Sequence, residues 1–243
     1  MENEILLMTA CINPQGMANT ALQDVEIRKK QYLDAVNYYL VHTHFNIIFV
    51  ENSGFDISSL YQEYIEKGRI EVITYYGNNF DKKLGKGYGE GLIICRALHQ
   101  SKLLHDSKAL VIKVSGRHVV KNINIIVRLS SVFRADKMIA CDINPKTRGA
   151  NSDMFLATVD FYRYFCENME KINEEKGIWF EHVLYDTIVE YCKKGGTFIF
   201  LPLPLKQFGV SGSMGTKFKH PSCVLYGKHI LKFIMYKVGI KKI

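Results

Sequence analysis

Residues 113–122, Lys-Val-Ser-Gly-Arg-His-Val-Val-Lys-Asn, follow directly on the apolar run Ala109-Leu110-Val111-Ile112. A short apolar run between polar flanks predicts a strand buried on both faces, and the carboxyl end of such a strand is where open sheets place ligands. This strand end delivers Lys113, Arg117, His118 and Lys121 with no carboxylate among them. Arg and Lys can stabilise the charge that develops on a phosphate leaving group, the task a metal ion often performs. The alternative is a solvated basic rim, the ordinary place for such residues.

Two further stretches carry chemistry. Gly85-Lys86-Gly87-Tyr88-Gly89-Glu90-Gly91 lies ahead of an apolar helical pattern. It has neither the spacing of a phosphate-binding P-loop nor the position of a dinucleotide fingerprint. It reads either as a permissive loop or as a helix N-terminus offering amides to phosphate or sugar hydroxyls, with Lys86 adding charge. In Gly177-Ile178-Trp179-Phe180-Glu181-His182, Glu181 sits among aromatics, where desolvation would raise a carboxyl pKa toward that of a general base. A first-turn carboxylate favoured by the helix dipole is the competing reading. Asp142, Asp153 and Glu90 are rivals for the base. Asp142-Ile143-Asn144 is the fallback for a Mg or Mn site, and His42-Thr43-His44 a weak metal pair.

The elements that must position these residues alternate regularly. Strands are predicted at 5–8, 46–50, 70–75, 109–114, 138–142 and 197–201. Helices are predicted at 24–41, from 58 or 59 to 68, and at 92–104, 122–133, 159–172 and 179–193. Such alternation specifies an α/β protein with a mostly parallel sheet covered by helices. At 243 residues, 47% apolar and 23% charged, the chain fits one well-filled domain, and disordered or collagen-like classes drop out. The expected division is a domain at 1–205 and a basic arm at 206–243. The six cysteines never approach a C-x-x-C spacing and lie mostly in apolar segments, so they read as reduced core thiols of a cytosolic protein. The first residues lack the basic flank and length of a secretory signal, and no apolar run is long enough to span a membrane.

Ile47-Ile48-Phe49-Val50-Glu51-Asn52-Ser53-Gly54, the glycine-rich stretch and Ile112-Lys113-Val114-Ser115-Gly116-Arg117 together resemble the small GT-A-type glycosyltransferases of bacterial capsule and O-antigen assembly. The likeness covers roughly residues 4–215. It implies a Rossmann-like domain that binds a nucleotide-sugar, here a UDP-sugar, at the carboxyl ends of the sheet. Most such proteins hold a divalent metal with an Asp-x-Asp motif after the fourth strand. Ser115-Gly116-Arg117 stands there instead. The expectation is a metal-independent transferase in which Lys113 and Arg117 neutralise the diphosphate and Glu181 is the base. Thr9, Ala10, Cys11 and Asn13, in the loop after the first strand, are expected at the nucleotide base. The resemblance adds Glu51 and Asn52 at the uridine or ribose. Arg148 and Ser152-Asp153 are assigned to the donor sugar, and Ser211-Gly212-Ser213 to closure over the diphosphate. Lys86, Gly87 and Gly89 complete the donor set.

The charge is asymmetric. After Glu190 come ten lysines and no acid, so the preceding part of the chain is two charges negative against a total of +8. From Lys217 to Ile243 these lysines interleave with aliphatics and aromatics, as on a helix lying on an anionic membrane surface. That placement, peripheral on the inner face of the cell membrane, suits a lipid-linked saccharide acceptor. A helix packed on the domain with a solvated basic edge is the plainer reading. A nucleic-acid-binding protein is the rival class, though no recognised nucleic-acid module accompanies the lysines. A non-catalytic membrane-binding module is the third.

Overall fold

The computed structural model describes residues 4–17, 20–209, 216, 218 and 220–239. In chain order its strands are β1 (Glu4–Ala10), β2 (Asn46–Glu51), β3 (Ile70–Thr74), β4 (Leu110–Ser115), β5 (Val119–Val120), β6 (Met138–Cys141), β7 (Ile143–Asn144), β8 (Gly149–Ala150), β9 (Met154–Thr158), β10 (Thr197–Phe200) and β11 (Gln207–Phe208). Its α-helices are α1 (Val25–His42), α2 (Gln62–Glu66), α3 (Lys86–Gln100), α4 (Ile123–Ser131), α5 (Val159–Asn168), α6 (Phe180–Lys193) and α7 (Cys223–Lys237). Seven strands form one sheet in the order β10-β6-β9-β4-β1-β2-β3. All neighbours run parallel except β9, which is antiparallel to both β4 and β6. The architecture is mixed α/β, with a mostly parallel central sheet between helical layers.

The strands are apolar on both faces because both faces are covered. Leu6, Met8, Ile47 and Ile112 meet α1 and α4 on one side; Ile5, Leu7, Ile48 and Val111 meet α3, α5 and α6 on the other. Asp24 caps α1 by accepting from the Ile27 amide at 2.8 Å, as its position ahead of the helix predicts.

Three expectations change. Met154–Thr158 is a core strand rather than part of a loop. It runs straight into α5, with no turn residue between them to announce a boundary. The glycine-rich stretch is not a loop either, because α3 begins at Lys86, with Gly85 at φ +88° as its cap. A Cβ on Gly87 would lie 2.9 Å from the Phe180 Cβ, and one on Gly89 2.8 Å from Phe80 Cζ, so these glycines admit neighbours that any side chain would exclude. Finally, Cys95 on α3 and Cys166 on α5 form a disulfide. Adjacent packing of two helices unites residues 71 apart in sequence, and the cysteine argument for a reducing compartment falls with it. Cys11, Cys141, Cys192 and Cys223 are free, and Cys223 is exposed rather than a core thiol.

The disulfide closes a long loop of the unfolded chain and stabilises by restricting it. Reduction of the wild type is expected to lower the unfolding free energy by about 2–4 kcal/mol. Urea melts check this, and Cys166→Ala must be insensitive to the reductant.

Candidate active site

The carboxyl ends of β1, β2 and β4 open into a cavity of about 930 Å³. Its floor is set by a tight turn after β4. The Gly116 amide donates to the Thr9 carbonyl at 3.0 Å, the His118 amide to the Ser115 carbonyl at 2.9 Å, and the Ser115 amide to the Asp153 carbonyl at 3.0 Å. A Cβ on Gly116 would sit 2.7 Å from the Thr9 oxygen, so only glycine lets the ends of β4 and β1 approach this closely. Tyr39 adds a fourth tie by donating to the His118 carbonyl at 2.8 Å.

On this fixed turn the His118 ring is poorly satisfied. His118 is 5% exposed, and neither ring nitrogen has a hydrogen-bond partner. Its Nδ1 lies 3.6 Å from Asp153 Oδ1 and its ring meets Phe218 edge-on. Burial pushes the Asp153 carboxyl up, but His118, Gln207 and Lys113 together hold it below its ordinary value, so it remains an anion beside the imidazole. Arg117 donates to Gln31 Oε1 at 2.8 Å. Burial lowers its pKa, Tyr32 opposes that shift, and the neighbouring Arg28 adds to it. Arg28, which sequence reasoning missed, is buried and donates to the carbonyls of Cys11, Ile12 and Leu22. Among the described residues neither guanidinium forms an ion pair. Asn52, 2% exposed, adds an unpartnered Oδ1 to the same wall.

Lys113 is placed differently from the expectation. It is fully buried and does not line the cavity. Its ammonium pairs with Glu90 Oε1 at 2.5 Å and donates to the Ser152 carbonyl, with the Phe180 ring centroid 5.6 Å away. Glu90 also accepts from Thr9 Oγ1 at 3.0 Å, and Ser152 Oγ donates to Glu181 Oε1 at 2.6 Å. Lys113 therefore positions two cavity carboxylates from beneath the floor and cannot touch a bound diphosphate.

Of the remaining expected residues, Thr9, Ala10, Cys11, Asn52, Lys86, Gly87, Gly89, Arg117, Asp142, Asp153 and Glu181 line the cavity. Burial pushes the Cys11 thiol up to about 11, against the pull of Arg28, so it stays protonated. Glu51 is off the wall. It is fully buried and accepts from the amides of Ile12, Ser53 and Phe55, which shapes the β1 and β2 loops and leaves nothing for a ribose. Asn13 is also outside the lining, its amide donating to Ser53 Oγ at 2.9 Å. Arg148 pairs with Asp186 at 2.6 Å in a separate, smaller hollow. The N-terminus of α3 already holds an anion, since the Gly87 amide donates to Glu174 Oε1 at 2.9 Å. Ser211 and Ser213 lie outside the described residues.

No cluster of three or more His, Cys, Asp or Glu fit to hold a metal occurs among the described residues. Asp142 has instead the buried His229 of α7, whose Nε2 lies 3.5 Å from its Oδ2. Burial pushes the Asp142 carboxyl up and the imidazole down, each shift opposed by the partner. His42 stacks on Tyr38 and donates from Nδ1 to the Tyr38 carbonyl, a helix-end contact rather than half of a metal pair.

Lys113→Met takes the cation from Glu90, a carboxylate partly open to the cavity, and is expected to cost about 1–3 kcal/mol in urea unfolding, part of it recovered by adding Glu90→Gln. A second expectation concerns pH. The buried His229 has a folded pKa below its ordinary 6.5. As pH falls through that value the unfolded chain takes up a proton the folded chain refuses, so stability declines toward acid. Chemical melts across that range should show the decline in the wild type and a shallower one in His229→Gln.

No protein-family model matches the chain, and no curated protein matches it. Solved structures resemble the chain at low identity. A cytidylyltransferase from Leptospira borgpetersenii is 11% identical over 100% of this chain and 99% of its own, with a TM-score of 0.46. The glycosyltransferase GlyE of Streptococcus pneumoniae is 12% identical over 83% of this chain and 45% of its own, with a TM-score of 0.49.

Proposed function

We propose that the protein is a glycosyltransferase that moves a sugar from a nucleotide-sugar, a UDP-sugar, to a lipid-linked glycan acceptor in surface-polysaccharide assembly, with no metal required. The observation that carries this reading is the concentration of cationic groups around the β4 end. Two guanidiniums with no carboxylate paired to them among the described residues line one cavity with an imidazole that makes no hydrogen bond and only approaches Asp153 at 3.6 Å. Like charges held together repel, and an anion with several acceptor oxygens would neutralise them together.

In this scheme Arg28, Arg117 and His118 face the diphosphate, while Asn52 Oδ1 accepts from a hydroxyl or amide of the nucleoside. Glu181 is the base. Glu90, Asp142, Asp153 and Glu174 are each engaged by a cation, a histidine or a helix amide, whereas Glu181 is held by a neutral hydroxyl. It takes the acceptor hydroxyl proton as that oxygen bonds to the anomeric carbon. The anomeric carbon–phosphate oxygen bond breaks, and its electron pair leaves on the nucleoside diphosphate. The peripheral placement at a membrane and the lipid-linked acceptor are part of the same proposal.

Calorimetry with UDP tests it. Binding should persist in EDTA, and Arg117→Gln and His118→Gln should each weaken it by about tenfold to a hundredfold, the range for a charge-assisted hydrogen bond. Glu181→Gln should keep UDP binding and lose turnover of a UDP-sugar. Absence of binding by any nucleoside diphosphate, or activity lost in EDTA and restored by manganese, would overturn the respective part.

A further inference from the structure

Helix α7 has two apolar sides. Its inner side is packed: Tyr236 stacks on Phe200 at 5.6 Å, Phe233 meets Phe133 at 5.5 Å, and His229 reaches Asp142. On the opposite side a helix covering a sheet edge normally turns polar residues to water. Here that side carries Val224, Leu231, Ile234 and Val238, exposed by 67%, 58%, 48% and 61%. Lys228 and Lys237 flank the stripe, and the Lys237 ammonium lies 4.2 Å from the Phe133 ring centroid.

The contacts at Phe133, two residues past α4, bring the end of that helix to α7. Helix α4 buries Ile123, Ile126 and Val127 and presents Ile125, Leu129 and Val132 outward, the last of these from its C-cap. Arg128 and Arg134 accompany them. No acid occurs from Lys121 to Ala135 or after Glu190. The next acid along the chain from α4, Asp136, is paired with Lys108 at 2.9 Å, and Asp142 meets His229 on the inner side of α7.

Adjacent exposed aliphatics of this extent mark an interaction surface, and the surrounding charge selects among partners. A second copy of the same face would bring lysine and arginine against lysine and arginine with no carboxylate to pair them. A nucleic acid would use the cations and leave the aliphatic stripe in water. An anionic bilayer uses both, since aliphatics enter the headgroup boundary while flanking lysines meet the headgroups.

We propose that α4 and α7 together form a preformed face that lies on an anionic bilayer, with α4 an equal partner of the basic tail. This extends the reading of a membrane-linked acceptor but is tested without any sugar chemistry. His229 and Asp142 tie the face to the cavity wall, which brings the cavity beside the membrane.

The experiment is flotation of the full chain with phosphatidylcholine vesicles, alone or containing phosphatidylglycerol. The wild type should float only with the anionic vesicles, and salt should weaken binding. Leu231→Glu/Ile234→Glu on α7 and Leu129→Glu/Val132→Glu on α4 should each lower the bound fraction by about tenfold or more, with thermal melts unchanged. A wild type that stays unbound, or that binds an oligonucleotide in preference to vesicles, overturns the proposal. So does a wild type that is a dimer made monomeric by these substitutions without floating. An α4 variant that binds like the wild type removes α4 from the face. UDP titration of the same preparations reports on the transferase reading separately, because none of the substituted residues lines the cavity.

Discussion

The site is organised around one ammonium group with no access to solvent. Lys113 sits mid-strand in β4, and a charge buried there is tolerable only with a counter-charge and satisfied donors. Glu90 from α3 supplies the first and the Ser152 carbonyl part of the second. These two contacts bind the central strand to the helix on one side and to the β8–β9 connection on the other. Through Ser152 the constraint reaches Glu181 at the start of α6. Three separate segments are thereby fixed around the cavity by a residue that never enters it.

The turn after β4 is the complementary half of the design. Its main chain is held at four points, yet the buried His118 ring makes no hydrogen bond and only approaches Asp153 at 3.6 Å. Holding the backbone this firmly fixes where Arg117 and His118 leave the chain, and preorganisation of this kind lowers the ordering cost of binding any ligand. The contrast with Glu51 is instructive. That carboxylate is equally buried, but every contact is internal, so it builds the loops and has no capacity left for chemistry.

The sheet was largely legible because strands buried on both faces leave continuous apolar runs, and six of the seven core strands fall within a residue or two of their predicted limits. β9 was not, because nothing local separates it from α5. The site was legible as a place more than as a set of roles. Periodicity located the carboxyl end of β4 and its cationic turn, but whether a cation faces water, a ligand or a carboxylate depends on partners far off in sequence. Glu90 is 23 residues from Lys113 and Glu174 is 87 from Gly87, and neither pairing leaves a local trace. Arg28 was missed for the same reason: on α1 it looks like any exposed helix cation, and only the fold turns it onto the β1 loop.

The basic excess of the chain end also divides once the partners are known. Lys232 lies 5.0 Å from the Phe200 ring centroid, Lys194 4.4 Å from that of Tyr164 and Lys237 4.2 Å from that of Phe133, so several cations rest on aromatic faces of the domain itself. The Lys232 and Lys237 contacts, with the stacked Tyr236 and buried His229, fix the roll of α7 about its own axis. The outward stripe is consequently set by the domain and not by whatever covers it. A helix free to rotate or unfold would turn its aliphatics inward, whereas here the inner positions are already filled by rings. The apolar side has only the outside left to face.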